Sequence, residues 1–459
     1  MKNIKYLLVA FALFVCSHAA VAQTSVSSYF LDGAFHNNRL NPAMKAERGF
    51  FSTVVGNMSL RTRSNFGISN IFYPRGENEL TTFMSGDVSA EEFLNGMPDN
   101  ALFGFNFDET LASFGFRAFG GYATFDLTLH SSLSMSMPKG LFEFAKRGLQ
   151  KSAYDIAGIN FNMMNYASAS LGYSHEVFEG FRVGANLKYL MGLAHADLTV
   201  DKLKVEMDEE HWLVESHARV QAALFCEAKA TLDEDGVVDG VEIGALAPTS
   251  SGFAVDLGVL YDMNRFVPGL TLSASVLDLG FINWKHMMKG QSTDAKVEFD
   301  GFGTVDYDNM ETAVEDELER LGDDAAKLLE LAYDGTESVK TRMNTTMYLG
   351  AEYNMPFYKP LSVAVLYGQC FAPTESNRWF DVRGFVNISP LKWLEASVNF
   401  GYNTYGTNLG WMLNVHPAGF SFFIGSDHMI TKVTPQFIPV DDFSSHLTFG
   451  INFPIGTRK

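Results

Sequence analysis

The chain lacks any long apolar run beyond its first 22 residues: no later stretch reaches the roughly 18 consecutive apolar residues that suggest a membrane helix. Cysteine is scarce, with three residues in all, and proline occupies only 14 of the 459 positions. The missing apolar runs exclude membrane-spanning helices. The shortage of cysteine excludes a small fold that disulfides hold together.

Basic residues are also few, since 34 Lys and Arg against 53 Asp and Glu give a formal net charge of −19. A nucleic-acid partner is not expected, because phosphates require a basic footprint. Only Cys226 and Cys370 follow the N-terminal segment, and whether they pair stays open. The abundant residues are 40 Phe, 40 Gly and 17 Tyr. This composition is typical of many strands with tight turns and aromatic girdles.

The first 22 residues have the layout of an export signal. Two lysines precede a short apolar run over 6–15, and Ala-Val-Ala at 20–22 forms a small-x-small cleavage pattern. We therefore expect residues 1–22 to be a signal peptide and the mature chain to begin at Gln23. An N-terminal anchor helix is disfavoured because the apolar run is too short for ~30 Å of hydrocarbon.

Alternating hydrophobicity runs through several long segments. From Tyr122 to Met137 the odd positions are apolar except Ser131, and the even positions are polar or amphipathic. Side chains on a strand point alternately to opposite faces, so this segment has one apolar and one polar face. The same pattern recurs over 181–193, 342–353, 393–402 and 446–455.

Strand length separates two all-β interpretations of this pattern. Strands of a soluble β-sandwich usually span about 5–6 residues, whereas a tilted membrane strand needs ~9–11. These segments have the longer value, and their polar faces carry charges that are costly in a packed core and cheap in a wet lumen. The sequence therefore predicts an all-β fold, a transmembrane antiparallel β-barrel of the bacterial outer membrane. The candidates for lining its lumen are Asp126, His130, Arg182, Lys188, Arg342 and Glu352.

Tight turns rich in Gly, Pro and Asn alternate with longer gaps along the chain. We assign six tight turns to the periplasm, which places the long gaps outside. Those gaps span 67–109, 138–162, 207–250, 285–339 and 427–444. The barrel is then expected over 50–459 with about 14 strands. Twelve or sixteen strands stay open, because the first strand is weak and 211–230 could be a wall strand or a loop hairpin.

Two segments do not follow the strand pattern. Residues 23–49 contain the turn-forming Asn41-Pro42-Ala43 and either fill the lumen as a plug or hang in the periplasm. The gap 285–339 is predicted to be a long acidic outer loop with an amphipathic helix from Val314 to Ala332. That helix is either a lid or partner-docking element, or a solvated part of the loop.

Short motifs resemble known outer-membrane families. Asn41-Pro42-Ala43, the stretch 419–427 and the strand count resemble the FadL family of hydrophobic-compound channels. The chain is more similar to uncharacterised barrels of Bacteroidetes, a domain-of-unknown-function family in which Tyr-Phe-x-Asp-Gly, here 29–33, precedes Asn-Pro-Ala. The FadL resemblance implies a lumen closed by an N-terminal hatch and a lateral exit for a hydrophobic ligand. Residues 23–49 are short for such a hatch.

The end of the chain resembles the signal that the barrel-assembly machinery reads. Its polar–glycine–hydrophobic spacing assigns Gly450, Phe453 and Ile455 to this assembly signal. The resemblance implies two partners, the assembly machinery and outer-membrane lipid.

Catalytic and metal motifs are weak. His130 and Ser132 share a strand face, a spacing similar to the His-x-Ser of lipid A deacylases. No acidic residue is identified beside them, so a polar lumen pair is favoured. The carboxylates over 233–240 lack the spacing of an EF-hand, and the 11 His show no metal-ligand spacing. No cofactor and no enzyme activity is predicted.

Three functions remain after this reasoning. The favoured one is a channel or transporter for a hydrophobic or small solute. The second is a non-conducting barrel that acts as scaffold or partner subunit of a surface or secretion assembly. The third is a membrane-embedded lipid hydrolase that depends on His130.

Overall fold

Backbone pairing closes long antiparallel strands into a barrel. The computed structural model describes residues 25–53, 56–74, 80–148, 152–207, 212–224, 226–232, 238–246, 250–292, 295–297, 331–374, 377–429 and 444–456. The wall strands in chain order are β1 (Gly49–Thr53 and Met58–Ser64), β2 (Asn100–Ala118), β3 (Gly121–Pro138), β4 (Ile159–Phe178), β5 (Phe181–Met207), β6 (Trp212–Leu224 and Ser251–Asp262), β7 (Leu270–Ser292), β8 (Leu331–Arg342 and Thr345–Asn354), β9 (Leu361–Phe371), β10 (Trp379–Leu391), β11 (Leu394–Asn403), β12 (Gly406–Val415), β13 (Ser421–Ser426) and β14 (Ser445–Ile455).

The last strand closes the wall on the first. Each strand pairs antiparallel with the next. β14 then pairs with both segments of β1, with Phe51 opposite Phe453 and Leu60 opposite Leu447. Within the described ranges the barrel thus has fourteen strands, and the predicted fold class and count are confirmed. Closure leaves the sheet without an open edge there.

The two faces of the wall differ in polarity, as the alternating sequence requires. On β5, Leu187 is 57% exposed on the outside, whereas the neighbouring Asn186 is 4% exposed on the inside. A soluble protein buries its apolar face and exposes its polar one. The inverted arrangement fits a wall with hydrocarbon outside and a polar interior.

β6 is one wall position built from two stretches of chain. Trp212–Leu224 and Ser251–Asp262 both lie between β5 and β7. Between them, Cys226–Leu232 and Val238–Leu246 form a separate hairpin. The segment 211–230, which the sequence left open, therefore contributes both a wall strand and one strand of a hairpin.

β2, β7 and β8 extend far into gaps that the sequence assigned to outer loops, and β4 and β6 also reach into such gaps. β2 begins within the gap predicted over 67–109, and β7 and β8 both extend into the gap predicted over 285–339. In β2 and β7 the cause is a reversal of parity at β-bulges. The register of β2 shifts between Thr110 and Ala112, and that of β7 shifts between Trp284 and Met287. These strands therefore alternate in two halves of opposite phase.

The remaining described elements are short. Helix α1 (Ala90–Gly96) and helix α2 (Lys139–Arg147) pack near the ends of β2 and β3. No helix in the described ranges has the length and apolarity needed to cross a membrane. Three 3₁₀ turns lie at Val26–Ser28, Asn37–Arg39 and Ile68–Asn70, and short strands at Phe72–Pro74, Leu80–Thr82, Ala153–Ile156 and Ala295–Val297.

Several predictions concern residues outside the described ones. These are the signal peptide over 1–22, most of the carboxylate-rich turn over 233–240, and the side chain of Cys226. The outer-loop helix predicted over 314–332 also lies outside, except for Leu331 and Ala332. Those two residues belong to β8, so the predicted helix end is wrong.

Candidate functional site

Residues 25–48, called the plug segment from here on, lie inside the barrel. Most of their side chains are buried, among them Ser27, Leu31 and Asn41. The segment consists of two single-turn 3₁₀ helices joined by turns, because its sequence has neither strand alternation nor a helical apolar stripe. It is held instead by hydrogen bonds to inward-facing polar groups of the wall and by apolar packing, in which Tyr29 and Leu40 cluster with wall residues such as Leu277.

A buried carboxylate holds the start of the plug segment. Asp427, just after β13, accepts hydrogen bonds from the backbone N of Val26 at 3.1 Å and of Ser27 at 2.9 Å. The hydroxyls of Ser25 and Ser27 donate to the same carboxylate, and the Arg61 guanidinium pairs with it. A buried carboxylate needs such a set of donors and a cation. Asp427 therefore links the end of β13 to the start of the plug segment through one buried hydrogen-bond network.

The Asn41-Pro42-Ala43 turn contacts β6 and β7. The Asn41 amide donates to the carbonyl oxygens of Val259 at 3.1 Å and Ala274 at 3.3 Å, and its Oδ1 accepts from the Ala43 N at 2.9 Å. One side chain thus shapes the turn and attaches it to two wall strands.

Two glycines make this contact sterically possible. Gly184 of β5 and Gly258 of β6 lie directly opposite each other, and we call them the glycine pair. A Cβ at Gly184 would lie 2.1 Å from the Pro42 carbonyl oxygen, and one at Gly258 would lie 2.1 Å from Asn41 Oδ1. Only glycine permits so close an approach of the turn to the wall.

An ion pair holds the middle of the plug segment. The Arg39 guanidinium contacts Asp126 of β3 at 2.7 Å and donates to the Thr110 hydroxyl at 2.6 Å. Asp126, predicted from sequence as a lumen residue, is buried and also accepts from the Ser113 hydroxyl at 2.7 Å.

His36 is buried between the plug segment and the closing strands. Its Nε2 lies 2.7 Å from Asn452 Oδ1 and 3.2 Å from the Gly56 carbonyl oxygen, so this nitrogen carries a proton. Its Nδ1 is buried without a hydrogen-bond partner among the described residues. Burial, reinforced by nearby Arg39, lowers the pKa of His36 to about 4. The ring is therefore neutral at physiological pH.

Cavities lie on both sides of the plug segment. The cavity on the side away from the tight turns, called the upper cavity, has a volume of about 170 Å³. Arg39 and Leu40 of the plug segment line it. The lower cavity, about 1000 Å³, lies beside the tight turns and is bounded by plug residues from Tyr29 to Lys45. Wall residues of the upper cavity include Asp108, Asp126, His130, Ser168, Lys188 and Asp256, and those of the lower cavity include Arg182 and Glu352.

Lys188 is held by two carboxylates in the wall of the upper cavity. Its Nζ lies 2.9 Å from Asp256 Oδ2 and 2.7 Å from Asp278 Oδ1. Asp278 has a φ of 58°, a left-handed conformation at a bulge of β7. The bulge turns this carboxylate toward the lumen although Leu277, next to it, is also buried inside. The amino group is thereby fixed rather than mobile.

His130 joins two neighbouring strands. Its Nδ1 lies 2.5 Å from Asp108 Oδ1, and its Nε2 lies 2.8 Å from Ser168 Oγ. Ser132, paired with His130 on sequence grounds, instead donates to the Met164 carbonyl oxygen at 3.3 Å. The histidine therefore has an acidic partner, and its serine is on β4.

One predicted lumen residue is on the wrong face. Arg342 is exposed and lies opposite Phe281, an outward-facing side chain of β7. β8 is interrupted between Arg342 and Thr345, and the interruption reverses the parity that the sequence alternation assumed. The prediction that Arg342 lines the lumen is wrong, and Met343 is buried inside instead.

The residues of the predicted assembly signal lie on β14. Phe453 and Ile455 are exposed on the outer face, while a Cβ at Gly450 would meet the Gly56 carbonyl oxygen at 2.2 Å. Gly450 thus permits close approach of the chain near the break in β1. Recognition by the assembly machinery stays a prediction.

The sequence analysis missed the residues that contact the predicted lumen and plug-turn residues. Asp256 is the lone charge in the apolar run from Phe253 to Val259, a signal that a buried partner is needed. Gly184 and Gly258 carried no signal on their own, since only strand register places them opposite each other. In the part of the chain that the structure describes, no three His, Cys, Asp or Glu side chains are grouped to hold a metal.

A family profile described as "Family of unknown function (DUF5723)" matches residues 42–427, which is most of the chain. The chain belongs to this DUF5723 family. The resemblance to an uncharacterised barrel family is thereby confirmed, while an origin in Bacteroidetes stays a prediction. No curated protein sequence matches the chain.

Solved structures of two toluene transporters and a FadL homologue are similar to this DUF5723 member at low identity. The toluene transporter TbuX of Ralstonia pickettii is 8% identical with a TM-score of 0.40, over 95% of this chain and 96% of that chain. A FadL homologue of Pseudomonas aeruginosa is 9% identical with a TM-score of 0.44, over 95% and 100%. The toluene transporter TodX of Pseudomonas putida is 8% identical with a TM-score of 0.39, over 92% and 93%. Similarity at this level says nothing about what this chain carries.

Proposed function

We propose that this protein is an outer-membrane channel for a small or hydrophobic solute, closed by the plug segment in the state that the structure describes. The observation that carries the proposal is the position of residues 25–48 between two cavities of one barrel. A non-conducting barrel that only provided a docking surface for other proteins would need neither cavity.

The outer surface supports a place in the membrane. Large apolar side chains such as Phe253, Leu349 and Val398 are about half exposed on the outside of the barrel. Exposed apolar patches of this extent are costly in water and favourable in hydrocarbon. We infer that the tight turns and the lower cavity face the periplasm, because such barrels have short periplasmic turns.

The polar part of the interface between the plug segment and the wall supports opening. The contacts of the plug segment with the wall include hydrogen bonds and ion pairs, such as the bonds from Gly33 N to Glu395 at 3.1 Å. They also include an apolar cluster in which Tyr29 and Leu40 pack against wall side chains such as Leu277. Each hydrogen bond contributes only about 0.5–1.5 kcal/mol net, since water replaces it when it breaks. The polar contacts can therefore exchange with water in the lumen, while displacement of the plug segment must also separate the apolar cluster.

The test targets the glycine pair. Gly258→Val places a side chain where Asn41 now lies and should displace the plug segment without touching the outer face. Gly384→Val is the matched control, because Gly384 is exposed and a Cβ there meets nothing within 4 Å. The mature chain and both variants are reconstituted in planar bilayers and in liposomes.

We expect Gly258→Val to raise ion conductance and the rate of liposome swelling in small solutes several-fold over the wild type. Gly384→Val should behave as the wild type. If Gly258→Val and Gly384→Val are both folded and equally silent, the channel is wrong and a non-conducting scaffold is favoured.

A further inference from the structure

Three polar side chains on neighbouring strands form a hydrogen-bonded chain that the channel does not require. Asp108 of β2 contacts His130 Nδ1 at 2.5 Å, and His130 Nε2 contacts the Ser168 hydroxyl of β4 at 2.8 Å. An acid, an imidazole and a hydroxyl at these separations are the parts of an activated serine nucleophile.

Strand register produces the arrangement. Asp108 is the cross-strand partner of His130, and Ser168 is the partner of Thr128, two residues from His130 on the same face. The imidazole also stacks on the Tyr166 ring, with centroids 4.5 Å apart and planes 16° apart. Backbone pairing and stacking therefore both fix the ring.

The contacts also fix the tautomer. An ionised carboxylate only accepts hydrogen bonds, so Nδ1 of His130 carries the proton that faces Asp108. The lone pair of Nε2 is then free to accept the Ser168 O–H. This is the tautomer in which histidine can act as a general base toward serine.

The chain of groups faces a cavity. Asp108, His130 and Ser168 all line the upper cavity, and the first two side chains are each 22% exposed. Arg63 lines the same cavity, and its Nε–H is buried without a partner among the described residues. A cationic donor in the cavity can stabilise the negative charge that develops on an acyl oxygen.

The size of the cavity limits the substrate. Its volume of about 170 Å³ is below the ~300–1000 Å³ of pockets for drug-sized ligands. Its lining is mostly polar, with the aromatic rings of Tyr166, Tyr348 and Trp379. A short-chain ester of a small polar alcohol fits this space, whereas the acyl chain of a membrane lipid does not.

We propose that Asp108, His130 and Ser168 form a serine hydrolase site for short esters. His130 Nε2 takes the Ser168 proton as Oγ bonds to the ester carbonyl carbon, and the tetrahedral intermediate forms. The C–O bond to the alcohol then breaks, and the alcohol leaves with that proton. Water, deprotonated by His130, attacks the acyl-serine, which releases the carboxylic acid and restores the Ser168 hydroxyl.

The test labels the nucleophile directly. The folded mature chain is treated with a small alkyl fluorophosphonate, in which the Ser168 oxygen displaces fluoride, and the labelled residue is identified by mass spectrometry. Cys370 lines the same cavity, so its reaction with methyl methanethiosulfonate reports whether small reagents enter. Turnover of p-nitrophenyl acetate is measured in parallel.

Ser132→Ala is the matched control, because Ser132 is near His130 and outside the hydrogen-bonded chain. We expect wild-type labelling at Ser168, unchanged labelling and turnover in Ser132→Ala, and losses on the order of 10³-fold in His130→Ala and Asp108→Asn.

The proposal is overturned if Cys370 reacts and Ser168 is not labelled. It is also overturned if neither residue reacts, since esters then cannot reach the site, or if His130→Ala labels as fast as the wild type. Failure of these tests would leave the channel proposal untouched, because plug displacement does not involve Ser168.

Discussion

The two faces of β11 differ sharply in exposure over the six positions from Ser397 to Tyr402. Ser397 and Asn399 are 1–2% exposed, whereas Val398, Phe400 and Tyr402 are 54–60% exposed. The inner side chains are small or polar because they contact the plug segment and the neighbouring wall, as Asn399 does with the Ser27 hydroxyl at 2.8 Å. The outer ones are large and apolar, and no described part of the chain covers them.

This difference shows which interactions stabilise each face. The inner face depends on specific pairing, so one lost partner leaves buried charges uncompensated. The outer face depends on transfer of apolar area to lipid, which tolerates exchange among apolar residues and penalises charge. Substitutions on each face should therefore fail in different ways.

The largest expected effect is on the inner face. Asp427→Ala removes the carboxylate that the plug segment and Arg61 share. Because Arg61 is then left buried without that partner, we expect a loss of about 3–5 kcal/mol in the free energy of unfolding. Urea unfolding in lipid vesicles measures it, and Asp427→Asn, which keeps an acceptor, should lose less. A loss below about 1 kcal/mol would show that the carboxylate does not hold the interior together.

The next effect is on the outer face. Val398 lies in the middle of β11 and points outward. Val398→Arg should cost about 2–4 kcal/mol if the strand centre is at the bilayer midplane, while Val398→Leu should be nearly neutral. The same vesicle unfolding experiment distinguishes them. Equal stability of the arginine and leucine variants would mean that lipid does not cover this face.

A smaller effect concerns pH and the plug segment. Since burial lowers the pKa of His36 to about 4, the folded state binds fewer protons than the unfolded one between that value and about 6.5. The contribution of the neutral His36 ring to the free energy of unfolding is therefore present above pH 6.5 and is lost as pH falls toward 4. Arg39 opposes the charged form of the ring, and Asp126 favours it.

We expect about 2 kcal/mol of stability to be lost between pH 7.5 and pH 5 through this residue. His36→Gln, which keeps a donor toward Asn452, should remove that part of the pH dependence. Protease cleavage of the plug segment and vesicle unfolding across pH measure the difference. Identical pH profiles for the two proteins would exclude His36 as the cause.

The smallest effect tests the corrected face of β8. Arg342 is exposed opposite Phe281, so Arg342→Gln should change stability by less than about 0.5 kcal/mol and leave conductance unchanged. Lys188→Gln is the comparison, because it removes the cation from Asp256, which is fully buried. A conductance change in Arg342→Gln but not in Lys188→Gln would show that Arg342 lines the lumen after all.

Regular strands were predictable because the alternation of their side chains depends only on residues that are neighbours in the sequence. From Tyr122 to Met137 the alternation alone gives the strand and its two faces, and β3 spans that segment. Prediction failed where a bulge or a break in a strand reverses the parity, as at the bulge of β2 near Thr110 and at the break of β8 after Arg342. A bulge adds one residue to one strand, and its position depends on the neighbouring strand rather than on the residues themselves.

The candidate sites divide in the same way. The polar face of β3 includes His130, and the sequence offered Ser132 as its partner because both belong to one strand. The structure pairs it with Asp108, 22 residues earlier, and with Ser168, 38 residues later. Contacts between residues so far apart in the sequence give no signal in a short segment, since they depend on which strands are adjacent and in what register.

The sequence by itself determined that this protein forms long strands with one apolar and one polar face, and hence a membrane barrel of about fourteen strands. That much follows from the alternation of neighbouring side chains along an extended chain. Only the tertiary structure placed residues 25–48 in the lumen, set the Asn41 turn on Gly184 and Gly258, and joined three strands through His130. These contacts join residues far apart in the chain, and barrel closure brings them together.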